Sequence, residues 1–336
     1  MNRLCVIFTG PQQVSVLEES LPDPAPNQVL VQTLFSAISP GTEVMIYRGQ
    51  FPEDLNVDET IPSLAGPFRY PLRYGYSAAG QVIATGRQVD RAWEGRLVFS
   101  FQPHASHFLA CLDELLPVPA GIKPESAVFL ANMETAVNLC LDGAPLLGER
   151  VVVFGQGMVG LLTAALLAQF PLASLVSLDR YPLRRKASLE AGVHACLDAD
   201  APDILEQLRL IQPDGADLAF ELSGSPAALD QAIASAAFTG RVVVGSWYGK
   251  KQANLDLGGR FHRSRIRLVS SQVSSLAPEL SGRWTKGRRF EVAWEMLRRL
   301  SPAGLITHRL PVSEARAAYS LLDESPEEAI QVVFEY

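Results

Sequence analysis

The chain has 336 residues, of which 48% are apolar and 19% charged. This length predicts about two domains of roughly 100–200 residues each, and the apolar content supplies a large core and excludes a disordered chain. The net charge of −7 and the isoelectric point of about 5.4 exclude a general nucleic-acid binder, which needs a basic surface facing the phosphates. A local basic pocket is compatible with this balance.

The cysteines and the apolar segments restrict the class of protein further. None of the four cysteines forms a C-x-x-C pair, which excludes a local zinc ribbon or dithiol motif and favours free thiols in a reducing compartment. Thr9-Gly10-Pro11 breaks the apolar start too early for a signal peptide. The longest apolar stretch, 158–170, is shorter than the roughly 20 residues of a bilayer span. We therefore expect a cytoplasmic protein without a membrane segment.

In chain order, the predicted elements change character near residue 118. Before it, short apolar runs such as 29–34 and 80–85 are separated by proline and glycine, which indicates a β-rich barrel or sandwich. After it, helix-length patterns alternate with continuous apolar runs, which predicts an α/β fold with a doubly wound parallel sheet. The predicted strands are 150–154, 175–178, 218–221, 241–244 and 266–270, the predicted helices are 125–141, 160–169, 184–191, 227–236 and 288–300, and a final strand is predicted at 329–334.

The most specific motif is Gly155-Gln156-Gly157-Met158-Val159-Gly160, which directly follows the strand at 150–154 and opens a helix. The first glycine permits a tight turn, the second leaves room for a pyrophosphate, and the third lets helix and strand pack closely. Backbone amides and the positive end of the helix then stabilise the phosphate charge. The sequence therefore predicts a dinucleotide-binding turn.

A second part of the same fingerprint follows at Asp179, where the next strand ends. A carboxylate there can accept hydrogen bonds from the adenosine ribose and would repel a 2′-phosphate, which favours NAD over NADP. Arg180 and Arg184 leave NADP as an alternative, because either could bind a phosphate. Ser223 and Gly245 follow later strands and are also expected to contact the cofactor, since ligands bind at the carboxyl ends of such strands.

Five stretches, taken in order, resemble the medium-chain dehydrogenase/reductase superfamily. They are Ser39-Pro40-Gly41-Thr42-Glu43, Tyr74-Gly75-Tyr76-Ser77-Ala78-Ala79-Gly80, Gly95-Arg96-Leu97-Val98, His104-Ala105-Ser106-His107 and Met133-Glu134-Thr135-Ala136. The resemblance covers essentially the whole chain. It implies a GroES-like catalytic domain at 1–118, a Rossmann domain at 119–275, and a return to the catalytic domain at 276–336. It also implies that Thr135 lies near the nicotinamide.

The chain departs from this family at the zinc ligands. Ser39 stands where zinc-dependent members have their first cysteine, Tyr76 stands where they have a histidine, and the third ligand falls near Leu130 or Ala131. The four-cysteine structural lobe is also missing. Because a catalytic zinc takes about three nitrogen, sulfur or carboxylate ligands, we expect no metal. The segments around Ser39 and Tyr76 resemble a zinc-lacking branch that includes bacteriochlorophyllide hydroxyethyl dehydrogenases.

Without zinc, a hydrogen-bond donor must stabilise charge on the substrate oxygen, or the substrate must delocalise it. Tyr76 is the first candidate for donor or acid; the alternative is a packed aromatic. Glu43 could act as a base or anchor its loop through backbone amides. Thr42 and Ser39 could relay protons or cap a Pro-Gly turn. Thr135 could contact the nicotinamide or be an ordinary hydroxyl at a helix start. The histidines are not taken as catalytic candidates.

Basic and aromatic segments follow the Rossmann strands. Four arginines lie within 260–267, and four more basic residues lie within 283–289. They form either solvated surface or a grip on an anionic substrate or the cofactor phosphates. Trp247 and Tyr248 follow the strand at 241–244 and could shape a substrate pocket or pack in the core.

These features favour an NAD-linked, metal-free oxidoreductase that acts on an alcohol or ketone of a small or medium organic molecule. The second hypothesis is an NADPH-dependent enoyl or quinone reductase, whose conjugated substrate holds the charge itself. The third is a dinucleotide-binding regulator without catalysis. We expect no nucleic-acid partner, and a homodimer could form by edge-to-edge pairing of the strand at 266–270.

Overall fold

The computed structural model describes residues 1–52 and 54–336, and the chain divides into two compact units. Unit 1 consists of Met1–Ala131 together with Leu297–Tyr336, and unit 2 consists of Asn132–Met296. Both boundaries lie further along the chain than 118, near which the sequence changes character, and 275, which the family resemblance implied. The segment 276–296, expected in the return to the first domain, belongs to unit 2.

Unit 1 is built around a mostly antiparallel sheet. Its strands are β1 (Asn2–Gly10), β2 (Gln13–Ser20), β3 (Gln28–Ala37), β4 (Ala78–Thr85), β5 (Leu97–Ser100), β6 (His107–Cys111), β7 (Leu116–Pro117), β14 (Ile306–Pro311) and β15 (Gln331–Glu335). β1 and β2 form a separate antiparallel pair, and the larger sheet has the order β14-β15-β3-β4-β5-β7, with β6 also paired to β3. The first third of the chain is therefore β-rich, as its short apolar runs separated by proline and glycine indicate.

Three helices complete unit 1. They are α1 (Pro40–Tyr47), α2 (Pro124–Ala127) and α9 (Ala315–Glu324). The expectation of a Pro-Gly turn after Ser39 is wrong, because that segment is the start of α1. A proline fits the first helical position, where no amide hydrogen is needed. The core of the unit is aromatic, since the ring of Tyr319 packs edge-on to Phe8 at 4.9 Å and stacks on Tyr47 at 5.8 Å.

Unit 2 contains a six-stranded parallel sheet. Its strands are β8 (Arg150–Phe154), β9 (Ser174–Asp179), β10 (Ala195–Asp198), β11 (Ala216–Glu221), β12 (Ala236–Val244) and β13 (Arg267–Ser270). Their order is β10-β9-β8-β11-β12-β13, so the strand order reverses between β8 and β11. This arrangement confirms the predicted doubly wound α/β fold.

Helices cover both faces of this sheet. They are α4 (Met158–Leu167), α5 (Pro182–Glu190), α6 (Ile204–Ile211) and α7 (Pro226–Ser235), together with part of the longer helix α3 (Leu130–Gly143). The ion pair between Arg289 and Glu134 joins helix α8 (Lys286–Leu300) to α3. Successive residues of β8 point to opposite faces. Val152 lies in a cluster with Ile204 and Ile233, and Val153 lies in a cluster with Leu139 and Leu167. The uninterrupted apolar strand follows from this two-sided burial.

Element bounds differ from prediction in a few places. The single helix predicted at 125–141 is two helices, α2 and α3, and the predictions omitted β10 and α6. β13 lies at the edge of the sheet, so the homodimer through this strand stays a prediction. Within 1–52 and 54–336, no helix has both the length and the apolar character of a bilayer span.

Candidate functional site

The glycine turn after β8 has the geometry of a phosphate cradle. Gly155 adopts a φ of +92°, which favours glycine, and its amide donates to the Leu178 carbonyl at 2.8 Å. A Cβ on Gly160 would lie 2.0 Å from the Gly155 carbonyl oxygen, whereas one on Gly157 would meet no heavy atom within 4 Å. The third glycine therefore serves packing, and the second leaves open space at the start of α4, where a diphosphate fits.

The other residues of the turn support it from within. Gln156 is fully buried, and its side-chain amide donates to the Gly155 carbonyl at 2.8 Å while its oxygen accepts from Ser188 at 2.8 Å. Met158 is 5% exposed, and Val159 is half-buried on α4. These side chains therefore stabilise the turn from within the unit.

Asp179, at the end of β9, fixes the same turn. Its carboxylate accepts from the backbone amide of Gln156 at 2.7 Å and, through the other oxygen, from that of Tyr181 at 2.9 Å. The side chain is only 6% exposed. Each carboxylate oxygen has a second lone pair, so these contacts leave capacity for ribose hydroxyls.

The two arginines beside Asp179 are already engaged. Arg180 is exposed and forms an ion pair with Asp200 at 3.1 Å. The Arg184 guanidinium lies 4.8 Å from the centre of the Tyr181 ring, and burial lowers its pKa against the opposing effect of Asp179. Arg180 is therefore balanced by an acid, which weakens the argument that it binds a 2′-phosphate.

The carboxyl ends of β11 and β12 meet beside the glycine turn. A Cβ on Gly155 would lie 2.6 Å from both the amide nitrogen and the Cα of Ser223. The Ser223 amide and hydroxyl both donate to the Glu221 carboxylate, at 2.8 and 2.5 Å. Gly245 follows β12, and a Cβ there would meet Leu139 at 2.5 Å. Glu221 was not among the predicted site residues, although a charge ending a buried strand was a visible signal.

Thr135 lies on α3 rather than at a helix start, because the helix begins at Leu130. Its neighbour Glu134 accepts from the guanidinium of Arg289 at 2.8 Å, and both side chains are buried. Arg289 also donates to the Asn138 side chain at 2.5 Å. Helix α3 is therefore fixed within unit 2 by a buried ion pair.

In unit 1, three of the four predicted catalytic residues form one hydroxyl cluster. The Tyr76 hydroxyl donates to the Ser39 hydroxyl and interacts with the Thr42 side chain. Burial raises the pKa of Tyr76, and its hydrogen bonds only partly oppose this. The phenol therefore stays protonated at neutral pH and can donate a hydrogen bond.

Glu43, the fourth, has no exposed surface. One carboxylate oxygen accepts from the Ser39 amide at 2.7 Å. The other accepts from the Tyr319 hydroxyl at 2.5 Å and contacts the His104 ring nitrogen at 2.9 Å. These partners favour the anchoring interpretation over the base, because no part of the carboxylate reaches solvent.

The side chains at the expected zinc positions do not match a zinc site. Among the described residues, the only cluster of three or more histidine, cysteine or acidic side chains with ligand atoms mutually within 4.8 Å is Cys111, Asp113 and Glu114. It lies at the turn after β6, where Glu114 caps the Cys111 amide at 2.7 Å. A serine and a tyrosine hydroxyl bonded to each other do not supply the nitrogen, sulfur or carboxylate ligands of a catalytic zinc.

For the run 260–267, the structure favours solvated surface over a grip on the cofactor phosphates. The run 260–267 precedes β13, so it lies at the amino end of that strand, whereas dinucleotides bind at the carboxyl ends. Arg260 donates to the Ala236 carbonyl at 2.7 Å, and Arg289 is fully buried. Trp247 is 40% exposed, and the Tyr248 hydroxyl donates to Glu221 at 2.6 Å.

Comparison with known proteins finds similar dehydrogenases. Residues 159–289 match the family model described as "Zinc-binding dehydrogenase". D-guloside 3-dehydrogenase of Escherichia coli (strain K12) is 24% identical over 97% of this chain and 98% of its own length. The 2-desacetyl-2-hydroxyethyl bacteriochlorophyllide A dehydrogenase of Cereibacter sphaeroides is also 24% identical, over 97% of this chain and 96% of its own. These matches support the medium-chain dehydrogenase/reductase superfamily.

A solved structure has the same fold. A protein described as a short chain alcohol dehydrogenase from E. coli CFT073, complexed with NADH, superposes with a TM-score of 0.81 at 18% identity; the match covers 100% of this chain and 99% of that chain. Its fold is that of the medium-chain alcohol dehydrogenases, with a GroES-like and a Rossmann part. The matched segment 159–289 contains neither Ser39 nor Tyr76, so the word zinc in that description says nothing about their positions.

Proposed function

We propose that the protein transfers hydride between NAD and an alcohol or ketone group of a small or medium organic molecule, without a catalytic zinc. The observation that carries this proposal is the glycine turn, in which Gly157 leaves open space beside the first amides of α4. NAD, when bound, supplies the hydride-accepting nicotinamide. The chain supplies amides for the diphosphate and hydroxyls for the substrate oxygen.

The metal-free part of the proposal rests on the hydroxyl cluster. Tyr76 takes the position of a histidine ligand and Ser39 that of a cysteine ligand, and their hydroxyls are hydrogen-bonded to each other. A protonated phenol can donate to a substrate oxygen and stabilise charge that develops there. Thr42 and Ser39 then hold the phenol in place, while the buried Glu43 anchors the start of α1 through the Ser39 amide.

The preference for NAD over NADP rests on Asp179. Its carboxylate sits at the end of β9, where the adenosine ribose binds in such folds, and a second negative charge on a 2′-phosphate would be repelled. Arg180 offers little compensation, since it is paired with Asp200. Separate titrations with NADH and NADPH test this preference, and tighter binding of NADPH would refute it.

The dinucleotide site is tested by Gly157→Val. A Cβ at this position meets no heavy atom within 4 Å, so the fold should survive, while the valine side chain fills the space proposed for the diphosphate. We expect NADH affinity to fall at least about tenfold, or about 1.4 kcal/mol. Gly282→Val is the matched control, because Gly282 also faces open space and lies outside the turn. Equal NADH affinity in the two variants would overturn the proposal, and stoichiometric zinc found by elemental analysis would overturn its metal-free part.

A second candidate is an NADPH-dependent enoyl or quinone reductase. The hydroxyl cluster favours it, because a conjugated substrate needs no metal to hold its charge. Assays of an enone with NADPH against a ketone with NADH distinguish the two reactions. Turnover in either assay would eliminate the third candidate, a dinucleotide-binding regulator without catalysis.

A further inference from the structure

Glu221 is a buried carboxylate at the carboxyl end of β11, and none of the roles proposed above uses it. It has no exposed surface. Its Oε1 accepts from the amides of Ser223 and Gly224, at 2.8 and 3.1 Å, and from the Ser223 hydroxyl at 2.5 Å. Its Oε2 accepts from the Tyr248 hydroxyl at 2.6 Å. Across the part of the chain that the structure describes, no basic side chain forms an ion pair with it, so its charge is stabilised by neutral donors alone.

These contacts join two loops. Ser223 and Gly224 follow β11, and Tyr248 lies in the loop that follows β12. The same loops are also joined by a hydrogen bond from the Gly224 amide to the Ser246 hydroxyl at 2.8 Å, and by one from the Lys251 ammonium to the Gly224 carbonyl at 2.8 Å. Glu221 is therefore the common acceptor that fixes both loops at one edge of the sheet.

The strand order places this edge under the nicotinamide half of a dinucleotide. Dinucleotides lie across the point where the strand order reverses, here between β8 and β11. Asp179, the residue for the adenosine ribose, is on the β9 side of that point. The other half of the cofactor therefore belongs to the β11–β12 side, and Glu221 is in register with Phe154, the residue directly before the glycine turn.

We propose that Glu221 is a positioning residue for the nicotinamide half-site, and that its buried charge favours the oxidised cofactor over the reduced one. This inference rests on the proposed function. The nicotinamide ring carries a positive charge in NAD⁺ and none in NADH, so a nearby buried anion attracts only the oxidised form. Tyr248 has a separate role: its hydrogen bond shapes the loop but adds no charge.

The test compares dissociation constants for NAD⁺, NADH and ADP-ribose, measured by calorimetry. Glu221→Gln keeps the shape and removes the charge, so the ratio of the NAD⁺ constant to the NADH constant should rise at least about threefold. Glu221→Asp keeps the charge and should restore the wild-type ratio. Tyr248→Phe should weaken the binding of NAD⁺ and the binding of NADH by the same factor. ADP-ribose lacks the nicotinamide, so its affinity should stay within about twofold throughout.

An unchanged NAD⁺/NADH ratio in Glu221→Gln would overturn the inference, even if all affinities fell together, because a merely structural carboxylate predicts that result. If Glu221→Gln does not fold, the double variant Glu221→Gln/Tyr248→Phe carries the same comparison, since no hydroxyl then faces the new amide. Wild-type protein that binds neither NAD⁺ nor ADP-ribose would refute the proposed function as well. Binding of ADP-ribose with an unchanged ratio would refute the inference alone.

Discussion

Arg289→Met tests the buried ion pair that fixes α3. The guanidinium has no exposed surface, and it donates to one Glu134 oxygen from two nitrogens, at 2.8 and 3.2 Å. It also donates to the Asn138 side chain at 2.5 Å and to the backbone carbonyls of Val273 and Ser275. Methionine fills similar volume but satisfies none of these acceptors.

The magnitude follows from the charge that the substitution leaves behind. Glu134 would remain buried, with a side chain 4% exposed and without its ion-pair partner. Removing one partner of a buried pair costs about 3–5 kcal/mol in the free energy of unfolding. Arg289→Met/Glu134→Met removes both charges, so we expect it to recover about 1–3 kcal/mol of that loss relative to additivity.

Urea unfolding followed by tryptophan fluorescence is the assay. Trp247, Trp284 and Trp294 lie in unit 2 and only Trp93 lies in unit 1, so the signal reports mainly on the unit that holds the ion pair. Arg288→Met is the matched control, because this neighbour is exposed and its guanidinium stacks 4.3 Å from the Trp284 ring. Loss of such a contact costs about 0.5–1 kcal/mol.

The loss of unfolding free energy in Arg289→Met should also depend on pH. Burial raises the pKa of Glu134, and the Arg289 charge opposes that rise, so removing the arginine raises the pKa further. A carboxyl whose pKa is higher in the folded state binds more protons folded than unfolded, and its stabilising contribution is lost as pH rises. Arg289→Met should therefore cost more at pH 8 than at pH 5. A cost under about 1 kcal/mol at both pH values would refute the ion-pair reasoning.

Tyr76→Phe should lower kcat about 100-fold or more with little change in melting temperature, because only the donor to the substrate oxygen is lost; unchanged steady-state kinetics would remove Tyr76 from the proposed chemistry. Burial raises the pKa of Cys5 to about 11, so at pH 8 about one thiol in a thousand is ionised. Iodoacetamide should therefore label Cys5 in urea but not in the native protein, as mass spectrometry would show. Arg241→Ala should cost about 2–4 kcal/mol in urea unfolding, because it leaves the largely buried Glu149 carboxylate without its 2.7 Å partner, and a loss below about 0.5 kcal/mol would contradict that account.

The Rossmann part was predictable because its signals are local. The predicted and observed bounds of β8 are the same. Its five residues include no acidic side chain, and the apolar pattern is interrupted on both sides of the strand. The glycine turn was equally predictable, because each glycine meets a short-range requirement of the backbone. By contrast, β10 is only four residues long and half-buried throughout, so its sequence lacks the continuous apolar pattern of a central strand.

Contacts between distant residues could not be predicted. The eight basic residues within 260–267 and 283–289 look alike in sequence, yet Arg289 is buried because Glu134 lies 155 positions earlier on a facing helix. Likewise, Glu43 next to Thr42 resembles a base beside a proton relay. Only the fold shows that Tyr319, 276 positions away, donates to its carboxylate.

Three buried carboxylates, one in unit 1 and two in unit 2, share one arrangement, in which the carboxylate anchors a loop. Glu43, Asp179 and Glu221 each lie near the end of a strand or the start of a helix, each is at most 6% exposed, and each accepts at least one backbone amide from a loop. A carboxylate held this way preorganises the loop, because its oxygens replace water as acceptors for amides that would otherwise be unpaired. The hydroxyl cluster of Tyr76, Ser39 and Thr42, unlike these carboxylates, carries hydrogens that a substrate oxygen could accept. We therefore expect Glu43→Gln to lower the free energy of unfolding with little change in kcat/KM. Tyr76→Phe should lower kcat/KM with little change in the free energy of unfolding.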